Sequence, residues 1–159
     1  ALLRQIFPNA KFIHIHRNPL DVFLSMRNFY ARLLDVMALQ SLPADLDVDA
    51  TILRVYDRMM QRLVADTAGM GAPDFIELPY TALDSDPIGA LQSIYAGLDL
   101  PGFTDASPSF EEYLAKLGTF EKNAFHVDED AAAKVAQHWK PWIERWNYQE
   151  DPRIASHVC

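Results

Sequence analysis

Between Phe12 and Ser25 the chain reads FIHIHRNPLDVFLS, and this stretch has the residue types and spacing to hold an anion. Lys11 to His16 is rich in Phe and Ile and bounded by turn residues, which predicts a strand. Asn18 is a good helix N-cap, Pro19 fits the first helical position, and Asp21 lies three residues past the cap, so a helix is predicted to follow directly. That arrangement sets the Arg17 guanidinium at the carboxyl end of a parallel strand, beside a helix N-terminus, the edge at which open α/β sheets bind ligands. Free N–H groups and the helix dipole attract anions there, the planar guanidinium fork suits phosphate oxygens, and Ser25 adds a hydroxyl one or two turns into the helix. The plain alternative is that Arg17 pairs with a carboxylate such as Asp21 and that Ser25 is merely a small helix residue. Composition alone favours that alternative.

Other clusters are weighed against blander readings. His14 and His16 alternate along the strand and share one side of it, a spacing that suits a metal. No third ligand sits at a motif spacing, so they are expected to be strand residues beneath the anion site, with His16 close enough to Arg17 to order the loop. Asp45, Asp47 and Asp49 imitate the start of an EF-hand loop, but Ala50 stands where glycine is needed and Tyr56 where the bidentate Glu belongs. A solvated loop capping the next helix is expected instead. Gly97 to Thr104, GLDLPGFT, has Walker-like spacing, yet Phe103 replaces the lysine and a helix precedes it where the motif demands a strand, so it reads as coincidence. Ser25 has no G-x-S-x-G context that would make it a hydrolase nucleophile.

The elements that would position these residues alternate between short strands and helices. Leu2 to Phe7 reads as the end of a short helix, broken by Pro8 and Asn9. The helix from Pro19 carries Val22, Leu24, Met26, Phe29, Leu33 and Leu34, and Ser41 to Asp49 is a loop. From Val48 the steps of three and four through Ile52, Val55, Tyr56, Met59 and Leu63 predict the clearest amphipathic helix. Phe75 to Leu78 is a second strand, and Pro87 opens a helix with Ile88, Leu91, Tyr95 and Leu98 inward. Phe110 to Leu117 is helical. Asp128, Glu129 and Asp130 start a last helix bearing Val135, Trp139, Trp142, Ile143 and Trp146, which Pro141 divides or kinks. The tryptophans are expected in the core or in a lid over the site.

The chain has 159 residues, 22 acidic against 14 Lys and Arg, and a net charge of −8, with half its residues apolar. That excludes a disordered chain and argues against a general nucleic-acid binder, while a few local cations still suffice for a small anionic ligand. No apolar run approaches a membrane span. Cys159 is the one cysteine and no Asn-x-Ser/Thr site occurs, so a disulfide framework within the chain is excluded and a reducing, cytoplasmic setting is expected. The first residue is Ala1, and two strands are few for a stable parallel sheet, so further sequence upstream is expected.

The stretch around Arg17 resembles the sulfotransferase family, which uses 3′-phosphoadenosine 5′-phosphosulfate (PAPS) as donor. That family's second signature is a strand, Arg-x-Pro, an acidic or polar residue, then Ser eight positions after the Arg; Arg17, Pro19, Asp21 and Ser25 match it. The resemblance is to the bacterial-type branch and continues in order along the chain. LPYTALDSDPIGALQSIYAGLDL resembles a Y-E-D-L segment, then D-P, then a helix ending in a Gly-Leu turn, although Thr81 and Ala82 replace the acidic pair. KNAFH followed by QHWKPWIERWNYQ resembles the C-terminal basic loop and W-x-P-like helix, with Asn147-Tyr148 for Gly-Tyr.

By that resemblance Arg17 and Ser25 bind the donor's 3′-phosphate, Tyr80 approaches the nucleotide, and the loop with Lys122, Asn123 and His126 approaches the 3′-phosphate end, an exposed polar loop being its plain alternative. The expected fold is α/β and P-loop-like, with few parallel strands flanked by helices, as one partial domain over residues 1–159. It lacks the family's first signature, the loop that cradles the 5′-phosphosulfate, and that loop and the general base are expected upstream of Ala1. The reaction implied is transfer of a sulfuryl group to a hydroxyl or amine of a small-molecule or carbohydrate acceptor, with no metal and no nucleic acid, and with the chain inactive alone. A homo-oligomer stays open. So do a noncatalytic remnant or interaction module using the Trp-rich end, and a P-loop nucleotide kinase relative.

Overall fold

The computed structural model describes residues 2–41, 43, 45–117 and 127–157. The described elements are α1 (Leu2–Ile6), β1 (Phe12–His16), α2 (Pro19–Met37), α3 (Val48–Thr67), β2 (Phe75–Pro79), α4 (Tyr80–Ser85), α5 (Pro87–Gly97), α6 (Phe103–Lys116), α7 (Glu129–Arg145) and a closing 3-10 turn, Ala155–His157. The chain is mostly helical, with one small parallel sheet of β1 and β2, and so keeps the α/β class. It divides into two compact units, residues 1–17 with 64–123, and residues 18–63 with 124–159.

The first unit holds the sheet. β1 and β2 pair in register from Phe12 with Phe75 to His16 with Pro79. His14 and His16 do share a side, as the alternation predicts, and it is the more covered one; Ile13 and Ile15 lie on the other, each 44% exposed. Asp74, just before β2, accepts from Arg4 at 2.9 Å and Lys11 at 3.2 Å, tying α1 and the start of β1 to that strand. α5 ends against β2: a side chain at Gly97 would meet Ile76 Cγ2 at 3.1 Å. The inward residues of α5 are Ala90 and Ile94, with Leu98 at its cap, so Leu98 is buried as expected while Ile88, Leu91 and Tyr95 are only half-buried. Tyr95 instead meets Phe103 and Phe110 of α6 edge-on, at 5.3 and 6.2 Å between centroids. α6 starts at Phe103, earlier than the apolar pattern suggests, because Gly102 takes a left-handed φ of 83° as its N-cap. The Walker-like GLDLPGFT is therefore the turn between two helices.

The second unit is a helical core closed by α7. Trp139, Val135 and Ile143 are fully buried, and Trp142 and Trp146 nearly so, which makes the tryptophans core residues. Trp139 has φ −115° and ψ 18°, so the helix breaks there, two residues before Pro141, whose ring and missing N–H disfavour an unbroken helix. The break lets the Trp139 indole donate to the Leu53 carbonyl at 2.9 Å, meet the Tyr56 ring at 4.0 Å and receive Phe23 edge-on at 5.8 Å. Of the predicted α3 stripe, Ile52 is buried and Tyr56 and Leu63 are half-buried, while Val55 and Met59 are half exposed; Leu53 and Met60 are buried beside it. Burial also pushes the Tyr56 phenol well above its ordinary value. On α2 only the first two turns are buried, through Pro19, Leu20, Phe23 and Leu24; Phe29, Val36 and Met37 are exposed.

A half-buried ion network ties α2, α3 and α7 together. Arg27 donates to both oxygens of Asp49 at 2.9 and 2.6 Å and to Asp128 at 2.9 Å, and Lys134 donates to Asp49 at 3.0 Å. Asp128 is also the α7 N-cap, accepting from Ala131 N at 2.6 Å. Asp47 accepts from Ala50 N at 2.9 Å, so the calcium-like aspartates serve one as a cap and one as an ion-pair partner. The Arg27 hydrogen bonds hold the Asp49 carboxyl below its ordinary 3.8, and the Ala131 N–H does most to hold Asp128 below it. A carboxylate depressed in the fold stabilises the protein above its unfolded pKa and loses that contribution as pH falls through the folded value. The thermal midpoint should therefore stay nearly level above about pH 5 and fall steeply below about pH 4. Asp49→Asn should flatten that acid limb; an unchanged limb in scans across this range would remove the network from the account.

Candidate functional site

The parallel register explains how Arg17 meets Tyr80. His16 and Pro79 form the last rung, so Arg17 and Tyr80 each stand one residue beyond it, side by side. The guanidinium carbon lies 4.8 Å from the centroid of the Tyr80 ring. A cation over an aromatic face is worth about 0.5–1 kcal/mol at an exposed site, enough to favour one orientation of the guanidinium without using its N–H fork. Arg17 is exposed, and among the described residues no carboxylate pairs with it. Asp21, the partner considered from sequence, is instead held by Arg153 at 2.7 Å.

Behind Arg17 on the same strand pair, His14 Nδ1 lies 3.0 Å from Glu77 Oε1, its partner in the register. The His14 and His16 rings are 6.1 Å apart. Burial, then the neighbouring His14, holds His16 below its ordinary 6.5 against the opposing pull of Glu77, which favours a neutral imidazole at neutral pH. Among the described residues no group of His, Cys, Asp or Glu is arranged to hold a metal ion.

The second unit carries the rest of the signature. Asn18 is buried and caps α2, accepting from Leu20 N at 2.9 Å, and Pro19 stands at the first helical position as predicted. Ser25 is half-buried in the second turn of α2. Lys122, Asn123 and His126 lie outside the described residues. Two features were missed from sequence: the short helix α4, which places Tyr80 in its first turn, and the pairing of the C-terminal Asp151 and Arg153 with Asn18 and Asp21. Neither has a sequence signal, since α4 is only six residues long and the second contact joins residues 132 apart. The second unit also has a surface cavity of about 390 Å³ between α3 and α7, lined among others by Asp49, Asp57, Lys134 and His138. Its aspartates are already engaged, Asp49 by Arg27 and Lys134 and Asp57 by the Trp142 indole at 2.9 Å.

A strand, an arginine at its end, a Pro-started capped helix and a serine eight residues on are thus present in order. The sulfotransferase family matches over residues 1–105. The chain belongs to the sulfotransferase family. Two relatives of this sulfotransferase-family chain are the omega-hydroxy-beta-dihydromenaquinone-9 sulfotransferases of Mycobacterium bovis and Mycobacterium tuberculosis. Each is 31% identical over 147 residues, which cover 92% of this chain and 38% of the relative. The chain therefore spans well under half the length of these curated relatives. No solved structure matches the chain significantly. Among the described residues of this family member, no helix is long and apolar enough to cross a membrane.

Proposed function

We propose that the chain forms the 3′-phosphate-binding part of a PAPS-dependent sulfotransferase. The observation that carries the reading is Arg17: an exposed guanidinium at a strand end, laid on Tyr80 at 4.8 Å, with its fork engaged by no carboxylate among the described residues. Arg17 is proposed to grip the 3′-phosphate through that fork, and Ser25 to add a hydroxyl donor, on the strength of the Arg-to-Ser signature. Tyr80 is proposed to approach the nucleotide while holding Arg17, and Lys122, Asn123 and His126 to line the same end of the donor.

In the transfer the sulfur leaves the phosphate-bridging oxygen and bonds to the acceptor heteroatom, which gives up its proton to a base; the nucleotide departs as 3′-phosphoadenosine 5′-phosphate (PAP). Positioning and charge stabilisation dominate such a step, as in phosphoryl transfer. The two mycobacterial relatives are named for an omega-hydroxy acceptor, which favours a hydroxyl over an amine here. The test is binding of labelled PAP with ATP as competitor. PAP held and ATP displacing it poorly is the expected result; equal displacement would point to a nucleotide kinase relative and overturn the reading.

A further inference from the structure

Asn18 and Asp21 stand at the entry of α2, and both are engaged by the end of the chain. Asn18 Nδ2 donates to Asp151 Oδ2. Arg153 grips Asp151 through Nε at 3.0 Å and Nη2 at 2.6 Å, and reaches Asp21 with Nη1 at 2.7 Å. The segment is itself fixed. Ile154 is fully buried, Arg153 N donates to Asp151 Oδ1 at 2.8 Å, and the N–H groups of Ile154 and Ala155 donate to the Asp151 carbonyl at 3.0 and 2.8 Å. The Arg153 hydrogen bonds hold the Asp151 carboxyl below its ordinary value, so Asp151 is an acceptor only near neutral pH. An acceptor facing the Asn18 amide decides which way the amide points: Nδ2 toward Asp151, leaving Oδ1 to cap Leu20 N.

We infer that Asp151 and Arg153 are positioning residues of the donor site, which set the first turn of α2 and, through it, the peptide that follows Arg17 and the place of Ser25. The inference rests on the donor reading above. A half-buried ion pair that stays in reach of water adds little to stability on its own. This one orients a buried cap and fixes the acidic signature position. That gives Asn18 and Asp21 a role directed into the protein, while the Arg17 fork is left for the ligand.

The test is PAP binding by calorimetry alongside the thermal midpoint, on the wild-type chain and on Arg153→Met, Arg153→Lys, Asp21→Asn and Arg17→Ala. Arg153→Met should weaken PAP binding about fivefold while moving the midpoint by only about 2 °C or less. Arg153→Lys should fall between, since one ammonium cannot reproduce the fork on Asp151. Asp21→Asn, which leaves the Asn18–Asp151 bond in place, should weaken binding about threefold, and it decides the matter if Arg153→Met does not fold. Wild-type PAP affinity in the folded Arg153 and Asp21 variants, beside a weakened Arg17→Ala, would overturn the positioning role and leave the donor reading standing. No PAP binding by the wild type would overturn both.

Discussion

Arg17→Ala should weaken PAP binding by roughly 30- to 100-fold, about 2–3 kcal/mol, with the fold unchanged. The magnitude follows from what is removed. A bidentate guanidinium–phosphate contact is charge-assisted and about twice as strong as a neutral hydrogen bond. The fold should be indifferent because Arg17 is exposed and lies on the Tyr80 face. Arg17→Lys should recover only part of the affinity, since a point charge replaces the fork. The 3′-phosphate lies away from the reacting sulfur, so its grip is equal in ground and transition states. In steady-state sulfuryl transfer the loss should appear in KM for PAPS far more than in kcat. A fall in kcat at unchanged KM would place Arg17 at the sulfuryl group instead. Calorimetry with PAP and steady-state kinetics with PAPS separate these outcomes.

Trp139→Ala carries the largest expected effect on stability. The side chain is fully buried, donates to Leu53 O and packs on Tyr56 and Phe23. Truncating such a tryptophan costs about 3–5 kcal/mol, a large share of the 5–15 kcal/mol typical of a domain. The thermal midpoint should fall by about 10 °C or more. Trp139→Phe should keep most of the packing and lose the indole hydrogen bond, for a fall of only a few degrees. A midpoint within about 2 °C of wild type for Trp139→Ala would contradict the core assigned to the second unit.

The elements with local signals were legible in the sequence. Asn18-Pro19 marked the start of α2, Asp128 that of α7, and the β-branched and aromatic runs marked β1 and β2. On α3 the predicted stripe is right at Ile52, Tyr56 and Leu63 and wrong at its edge: Val55 and Met59 are half exposed and Leu53 and Met60 are buried instead. Tertiary packing overrides a periodic pattern when two stripes are similarly apolar. On α2 the long apolar run outlasts its buried face, since Val36 and Met37 remain exposed. Around the candidate site, the strand ending before Arg17 and the Asn18-Pro19 helix start were readable because their signals are local. The partner of Asp21 was not: Arg153 stands at the other end of the chain, and no spacing rule connects them.

The most direct measurement compares PAP with adenosine 5′-phosphate on the wild-type chain and on Arg17→Ala. The two ligands differ only in the 3′-phosphate. The account predicts that the wild type prefers PAP by roughly 30-fold or more and that Arg17→Ala loses most of that preference. A preference for PAP as large in Arg17→Ala as in the wild type would show that the 3′-phosphate is held elsewhere and would contradict the central assignment.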